Sequence, residues 1–301
     1  MSAIMLEGLT KRYRTTYGLH EVNLTIEEGE TFGIIGKTGA GKTTLVRLLI
    51  NLIAPTSGKA SVFGMDVVRQ NAKVKSVIGY VPSKVQYYDF MRGRDIFRMV
   101  SSMRKEQHPE QINDYCEMFR LDPKMKFCDM PVNARKKTAI IQAMLGEPRL
   151  LILDEPLLAL DEKESSVLID LLREKNKNGV TILFCSQSFE EAQSVCQRTA
   201  FLQNGVILRE HKFDGSFAGA HRIKVKAEEN ISAALGLLHA KDVVISEGYL
   251  SFFTDAEMDR VIKALSHFEI QDLKIESPTT EDAYRYLEEK SPETEEETAY
   301  V

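Results

Sequence analysis

The sequence lacks two features that would each mark a particular class of protein. It has no basic excess, because 39 Lys and Arg stand against 44 Asp and Glu and the net charge is -5. A protein that holds a phosphate backbone needs such an excess, so nucleic acid is not expected as the main partner. No apolar run reaches the roughly 18 residues of a membrane span, since "LVRLLINLIAP" is short and contains Arg47. We therefore expect a chain that is soluble by itself.

Cysteine is scarce as well. The chain has four cysteines with no CxxC pair and no paired histidine, and they are Cys116, Cys128, Cys185 and Cys196. This pattern favours small apolar packing residues over metal or redox work. Free thiols and the absence of a signal peptide fit a reducing cytosol.

Residues 1–215 are expected to form one α/β domain. Strand-like alternation leads into a glycine-rich turn, after which "KTTLVRLLINLI" predicts a buried helix that Pro55 ends. From about residue 87 to 145, apolar residues about 3.6 positions apart predict a helical subdomain. "LLILD" and "TILFCS" are typical of a parallel sheet covered on both faces, and the amphipathic helix between them is expected to end at Gly179.

The pattern changes after Gly215. Strand, helix, hairpin, helix, strand and helix are predicted in that order, which favours a small α+β domain over 216–288. The last fourteen residues contain six Glu and one Lys, a balance as negative as that of the whole chain. Residues 289–301 are therefore expected to be a solvated acidic tail.

The stretch "GKTGAGKT" matches the phosphate-binding pattern GxxxxGK[ST] between a strand and a helix. Gly36, Gly39 and Gly41 allow backbone N–H groups to surround phosphate oxygens. Lys42 is expected to reach the β- and γ-phosphates, and the Thr43 hydroxyl to ligate Mg²⁺. Nucleotide binding is the first functional prediction.

Two carboxylates follow the apolar strand "LLILD". Asp154 and Glu155 stand at its carboxyl end, where ligands bind in open α/β sheets. Buried side by side, they need a cation. Asp154 is expected to hold Mg²⁺, and Glu155 to orient or deprotonate an attacking water.

With these motifs, the chain resembles the ATP-binding subunits of ABC transporters over essentially its whole length. "GKTGAGKTT", "GYVP", "LLILDEP", "LLALD" and "CSQ" occur in a similar order and spacing. The resemblance implies ATP and Mg²⁺ as cofactors, with Tyr13 under the adenine and with Thr38, Ala40 and Thr44 among the nucleotide contacts. It also implies that Asp161 faces a dimer interface, and that the C-terminal domain is of the type found in bacterial exporters with separate permeases.

The resemblance also exposes departures. Where the family has LSGGQ, whose serine hydroxyl and glycine N–H groups reach the γ-phosphate on the opposite subunit, this chain has "MPVNA". Pro131 has neither hydroxyl nor N–H, Val132 is β-branched, and Asn133 keeps only its amide. Ser83 replaces the glutamine that senses Mg²⁺ and water, and Gln187 replaces the switch histidine. Binding is expected to be intact, and hydrolysis to be either slowed or abolished.

Two classes of function follow. In the first, two such chains, identical or different, pair head to tail on the inner face of the cell membrane and drive export through a permease. The surface around Tyr87, Tyr88 and Phe90 either receives that permease or packs in the core. In the second, the chain binds ATP, hydrolyses little, and regulates or scaffolds a competent ATPase. A DNA-repair or translation ATPase is disfavoured, because the sequence has one cassette, no long heptads and no basic stripe.

Overall fold

The computed structural model describes residues 1–104, 109–213, 221–227, 231–246, 248–254 and 256–276. Within it the chain divides into two units, Met1–Lys212 and Phe213–Val301. No helix in these ranges combines the length and the apolar character that a membrane crossing requires.

A six-stranded sheet forms the centre of the first unit. Its order is β10-β9-β3-β8-β7-β6, and only the β10–β9 pair is antiparallel. Every residue of β3, β7 and β8 is buried, as the continuous apolar runs predict for a sheet covered on both faces. The strands are β3 (Thr31–Ile35), β6 (Ile78–Val81), β7 (Leu150–Asp154), β8 (Thr181–Ser186), β9 (Arg198–Gln203) and β10 (Val206–Lys212).

A second, antiparallel sheet packs over the first through one apolar core. Its order is β2-β1-β4-β5, and its inward residues, such as Leu6 and Leu24, share a cluster with Ile34 and Leu183 of the central sheet. The strands are β1 (Ser2–Tyr13), β2 (Thr16–Glu27), β4 (Ser57–Val62) and β5 (Met65–Asp66). This core includes residues of β3 and of the helix that follows it, so it fixes the two elements on either side of the loop between them.

Seven helices are described in the first unit. Three of them, together with a short 3-10 turn at Phe127–Asp129, occupy the region predicted to be helical. The helices are α1 (Lys42–Leu49), α2 (Asn71–Ser76), α3 (Gly93–Arg104), α4 (Pro109–Met118), α5 (Val132–Met144), α6 (Glu162–Lys177) and α7 (Phe189–Val195).

The expected end of α1 at Pro55 is wrong. The helix ends at Leu49, because Asn51 adopts a left-handed conformation with φ +49°. Its N–H donates to the Leu48 carbonyl, and the next N–H, of Leu52, donates to the Arg47 carbonyl at 2.8 Å. These two bonds form a Schellman motif, in which an asparagine can stand where glycine is commonest.

The second unit contains one antiparallel sheet with two described helices. The sheet order is β12-β13-β11-β14, and the described elements follow the predicted order. They are β11 (His221–Ala227), α8 (Ser232–Leu237), β12 (Lys241–Ser246), β13 (Tyr249–Thr254), α9 (Met258–Leu265) and β14 (Ile270–Glu276). The last predicted helix and the acidic tail lie outside the described residues, so the limits 216–288 and 289–301 stay predictions.

The end of α6 gives a test of the local structure. Gly179 has φ +89° and open space around an added Cβ, and it forms a Schellman motif in which the Val180 N–H donates to the Lys175 carbonyl. Gly179→Ala should cost about 1 kcal/mol, because only the left-handed backbone opposes the methyl group. Gly179→Asn should cost less, since asparagine tolerates this conformation. Urea unfolding checks both, and equal losses would contradict the assignment.

Candidate nucleotide-binding site

The loop between β3 and α1 is built for close backbone approach. Gly39 and Gly41 have φ of +86° and +117°, which disfavours any residue with a Cβ. At Gly41 a Cβ would also lie 2.4 Å from the Gly18 carbonyl oxygen. No side chain caps α1 at Gly41, so the first N–H groups of the helix remain available to an anion.

Lys42 is the buried cation of this loop. Its side chain is 6 % exposed, and Nζ lies 3.1 Å from Glu155 Oε1. Nζ also donates to the carbonyls of Gly36 and Lys37. The charge is therefore held at the centre of the loop, where a phosphate bound by the helix N-terminus would meet it.

Asp154 and Thr43 form the second polar pair. The Thr43 hydroxyl donates to Asp154 Oδ2 at 2.9 Å, and Asp154 is fully buried at the end of β7. Asp154 Oδ1 has no hydrogen-bond partner among the described residues. A buried, unpaired carboxylate oxygen beside a hydroxyl suits Mg²⁺, which prefers oxygen ligands and shares them with phosphates. These residues thus fit the predicted ion.

Glu155 leaves the strand in a different direction from Asp154. Its φ is +50°, a left-handed conformation that is uncommon for a residue with a Cβ. Its N–H donates to the Cys185 carbonyl at 2.9 Å, and its carboxylate, 12 % exposed, pairs with Lys42. Successive carboxylates therefore reach different groups, one the Thr43 hydroxyl and the other the Lys42 ammonium.

Lys42, Thr43 and Glu155 border an open cleft of about 460 Å³. Most predicted site residues line it, namely Tyr13, Thr38, Gly39, Ala40, Gly41, Lys42, Thr43, Thr44, Ser83, Glu155 and Gln187. Gly36 and Asp154 do not: Gly36 lies under the loop, bonded to the Ser186 carbonyl, and Asp154 is buried behind Thr43. Five lining residues were not predicted, namely Tyr17, Gly18, Lys37, Lys84 and Leu158.

Two tyrosines stand at one end of the cleft. Tyr13 is partly exposed, and its ring lies against Gly18, where a Cβ would be 2.7 Å from the ring. Tyr17 is paired with Arg12 across the β1–β2 hairpin, and it lines the cleft as Tyr13 does. The sequence analysis expected one aromatic residue at this end of the cleft, and the structure places two there.

The two altered positions in this half of the site are both at the cleft. The Thr38 hydroxyl donates to Gln187 Oε1 at 3.0 Å, so this side chain is tied to the phosphate loop. Ser83 lines the opposite wall, and its carbonyl accepts a bond from Lys136. The Ser83 side chain makes no hydrogen bond that the structure describes.

The altered signature lies elsewhere and does not line this cleft. Pro131 precedes the first turn of α5, and Val132 is 70 % exposed. The Asn133 amide donates to Glu164 Oε1 at 3.3 Å. Glu164 in turn forms a capping box with Asp161 at the start of α6, so both segments share one carboxylate.

Lys136 is a further residue near the site that the sequence analysis missed. It is 3 % exposed, and its ammonium donates to the carbonyls of Pro82, Ser83 and Glu155. Burial lowers the pKa of Lys136 to about 8, although the nearby carboxylates of Asp154 and Glu155 favour its charged form. The signal that could have revealed Lys136 is its place within a helix whose residues are mostly buried.

The Thr43–Asp154 pair gives a second test. Thr43→Val should leave Mg²⁺-free ATP binding nearly unchanged but remove most of the Mg²⁺-dependent gain, by about tenfold, because it deletes one oxygen ligand. Titration with a fluorescent ATP analogue, in Mg²⁺ and in EDTA, measures this. Thr44→Val is the matched control, since no bond joins Thr44 to Asp154, and it should change both affinities alike. An intact Mg²⁺ gain in Thr43→Val would contradict the assignment.

Comparisons with known proteins point to one family. The family model described as "ABC transporter" matches residues 19–158. The ABC transporter ATP-binding protein NatA of Bacillus subtilis is 31 % identical over 68 % of this chain and 87 % of its own length. The daunorubicin resistance ATP-binding protein DrrA3 of Streptomyces coeruleorubidus is 28 % identical over 95 % and 96 %. The methionine import ATP-binding protein MetN of Geobacillus kaustophilus is 30 % identical over 69 % and 65 %.

A solved structure shows the same fold. A dimeric ATP-binding cassette in a post-hydrolysis state, bound to ADP and phosphate, superposes with a TM-score of 0.65. It is 22 % identical and covers 70 % of this chain and 99 % of its own. With the phosphate loop, the strand-end carboxylates and these relatives in agreement, the chain belongs to the family of ABC transporter ATP-binding proteins.

Proposed function

We propose that this chain is the ATP-binding subunit of an exporter with a separate membrane permease, that it binds Mg-ATP, and that it turns it over slowly. The observation that carries the proposal is the pair of polar contacts at the phosphate loop. Lys42 forms an ion pair with Glu155, and the Thr43 hydroxyl forms a hydrogen bond with Asp154. These pairs supply what phosphate binding requires from one chain.

Each residue has a defined role in this proposal. The N–H groups of the loop and the Lys42 ammonium hold the phosphates, and Tyr13 packs against the base. Thr43 and Asp154 would hold Mg²⁺, with Ser83 near it, and the bound ion would neutralise phosphate charge. Glu155 orients or deprotonates the attacking water, assisted by the amide of Gln187.

Slow turnover is proposed from the other half of the machinery. A paired cassette would receive Pro131, Val132 and Asn133 from this chain at its γ-phosphate. Proline donates no hydrogen bond, and the Asn133 amide is already engaged by Glu164. Losing two or three charge-assisted bonds, each worth about 1.5–3 kcal/mol, weakens closure around ATP.

Export is proposed from the extent of the similarity. The daunorubicin resistance protein aligns over 95 % of this chain, whereas the methionine import protein aligns over 69 %. The longer alignment reaches past the cassette into the C-terminal region. The substrate would be selected by the permease, and the chain would work on the inner face of the cell membrane.

The surface for that permease is proposed in the helical subdomain. Tyr88 and Phe90 are 72 % and 74 % exposed, and their rings stack at 5.5 Å between centroids. Tyr87, by contrast, packs edge-on against Phe127 at 5.2 Å. The three aromatic residues therefore divide: Tyr87 belongs to the subdomain core, and the exposed pair is available to a partner.

A second function is favoured by the altered signature. The chain would bind ATP, contribute little hydrolysis, and pair with a competent ATPase chain. In such a pair, the site with Lys42 and Glu155 from this chain would receive the partner's signature. The other site would receive Pro131, Val132 and Asn133 and would be the weaker one.

Steady-state phosphate release separates the two functions. The purified chain should release phosphate from Mg-ATP above the Lys42→Ala variant, because Glu155 and the phosphate loop are in place. Release equal to that variant, with ATP binding confirmed by titration, would instead support the regulatory subunit. Absence of ATP binding would contradict both.

Restoring the family residues should raise turnover. Replacing Pro131, Val132 and Asn133 by Ser, Gly and Gly, together with Gln187→His, returns donors to the γ-phosphate and should increase phosphate release by at least about tenfold. Gln187→His alone is the matched control for the signature segment. No increase in the assembled complex would count against this account of the substituted positions.

A further inference from the structure

Lys136 joins two loops of the site through a single nitrogen atom. Its Nζ donates to the carbonyls of Pro82 at 3.0 Å, Ser83 at 3.1 Å and Glu155 at 3.0 Å. An ammonium group has three donors, and all three are used. Pro82 and Ser83 follow β6 and Glu155 follows β7, which are neighbouring parallel strands. The lysine therefore connects the residues that follow the carboxyl ends of these two strands.

The contact to Glu155 bears on a strained residue. With φ +50°, Glu155 has a conformation that persists only where its surroundings determine it. Its N–H donates to the Cys185 carbonyl, and its carboxylate pairs with Lys42. Its carbonyl accepts from Lys136 at 3.0 Å and from the Leu158 N–H at 3.3 Å. Removing Lys136 would leave the carbonyl with the Leu158 N–H, at 3.3 Å, and would break its shorter bond, which is the one that reaches the loop after β6.

The neighbouring lysine shows that burial alone does not explain this arrangement. Lys137 is also buried, at 6 % exposure, but its Nζ forms an ion pair with Glu164 at 2.7 Å. Among the described residues, no carboxylate lies within salt-bridge distance of Lys136, and its ammonium donates to main-chain carbonyls instead. Burying an ammonium group costs free energy. We attribute its presence here to the hydrogen bonds with which it holds the two loops.

We propose that Lys136 is a positioning residue that holds Glu155 and the Ser83 loop, residues 82–92 between β6 and α3, as one unit. It sets the direction of the Glu155 carboxylate and makes the loop follow any movement of that residue. Because the Ser83 loop continues to Tyr88 and Phe90, the same nitrogen connects the cleft to the exposed aromatic pair. This inference rests on the proposed role of Glu155, but its test does not require turnover.

Hydrogen–deuterium exchange of the full-length chain tests the proposal. Lys136→Met keeps most of the side-chain volume and removes the donors. Amides of peptides spanning 82–86 and 154–159 should then exchange at least about tenfold faster, in both segments together. Lys137→Met is the matched control, and it should speed exchange only around 161–164.

A binding measurement separates positioning from general loss of structure. Lys136→Met should bind a fluorescent ATP analogue within about threefold of the parent chain, because Lys42 and Thr43 are unchanged. Phosphate release, in a chain or complex that shows it, should fall by at least about tenfold. A chain without turnover would contradict the proposed hydrolysis while leaving the exchange result to decide this inference.

Two results would overturn the inference. One is unchanged exchange in both segments of Lys136→Met, and the other is the same acceleration of both segments in Lys137→Met. If Lys136→Met does not fold, Lys136→Gln replaces it, since an amide keeps part of the donor set. It should give a smaller acceleration in both segments, and no acceleration there would also overturn the proposal.

Discussion

The buried pair of Lys42 and Glu155 constrains the rest of the site. Their charged atoms are 3.1 Å apart, with side chains 6 % and 12 % exposed. Charges removed from water are tolerated only when they are paired and hydrogen-bonded. The phosphate loop, the start of α1 and the end of β7 must therefore be placed together. Removing either partner would leave a charge largely withdrawn from water, so the pair couples the geometry of the site to the stability of its surroundings.

The sheet order is what brings these groups together. β3, β8 and β7 are consecutive and parallel, so their carboxyl ends lie along one edge. The loop after β3 is tied to the end of β8 by the Gly36 N–H bond to Ser186, and Glu155 is tied to β8 by its bond to Cys185. Motifs far apart in sequence thus meet because the residues that follow β3, β7 and β8 lie at the same edge of the sheet.

The sequence predicted what local chemistry determines. The motifs that contain Lys42, Thr43 and the strand-end carboxylates work only at a particular residue spacing, so they can be found in the sequence. Most of the predicted residues line the cleft. Lys136 was not predictable in this way, because its partners are main-chain carbonyls, which any residue presents. The end of α1 was missed because proline is a stronger signal in a sequence than Asn51, whose left-handed backbone stops the helix earlier.

The altered signature is integrated into the fold. The Asn133 amide contacts Glu164, Lys137 pairs with the same carboxylate, and that residue also completes the cap of α6 with Asp161. Hydrogen bonds thus hold the backbone that would present this segment to a partner, whereas Pro131 has no N–H or hydroxyl to donate. The half of the machinery that holds a nucleotide retains its charge pairs, and the half that would act on a partner's nucleotide has fewer donors. In the proposed pair, the behaviour of each site would therefore depend on which signature faces Lys42.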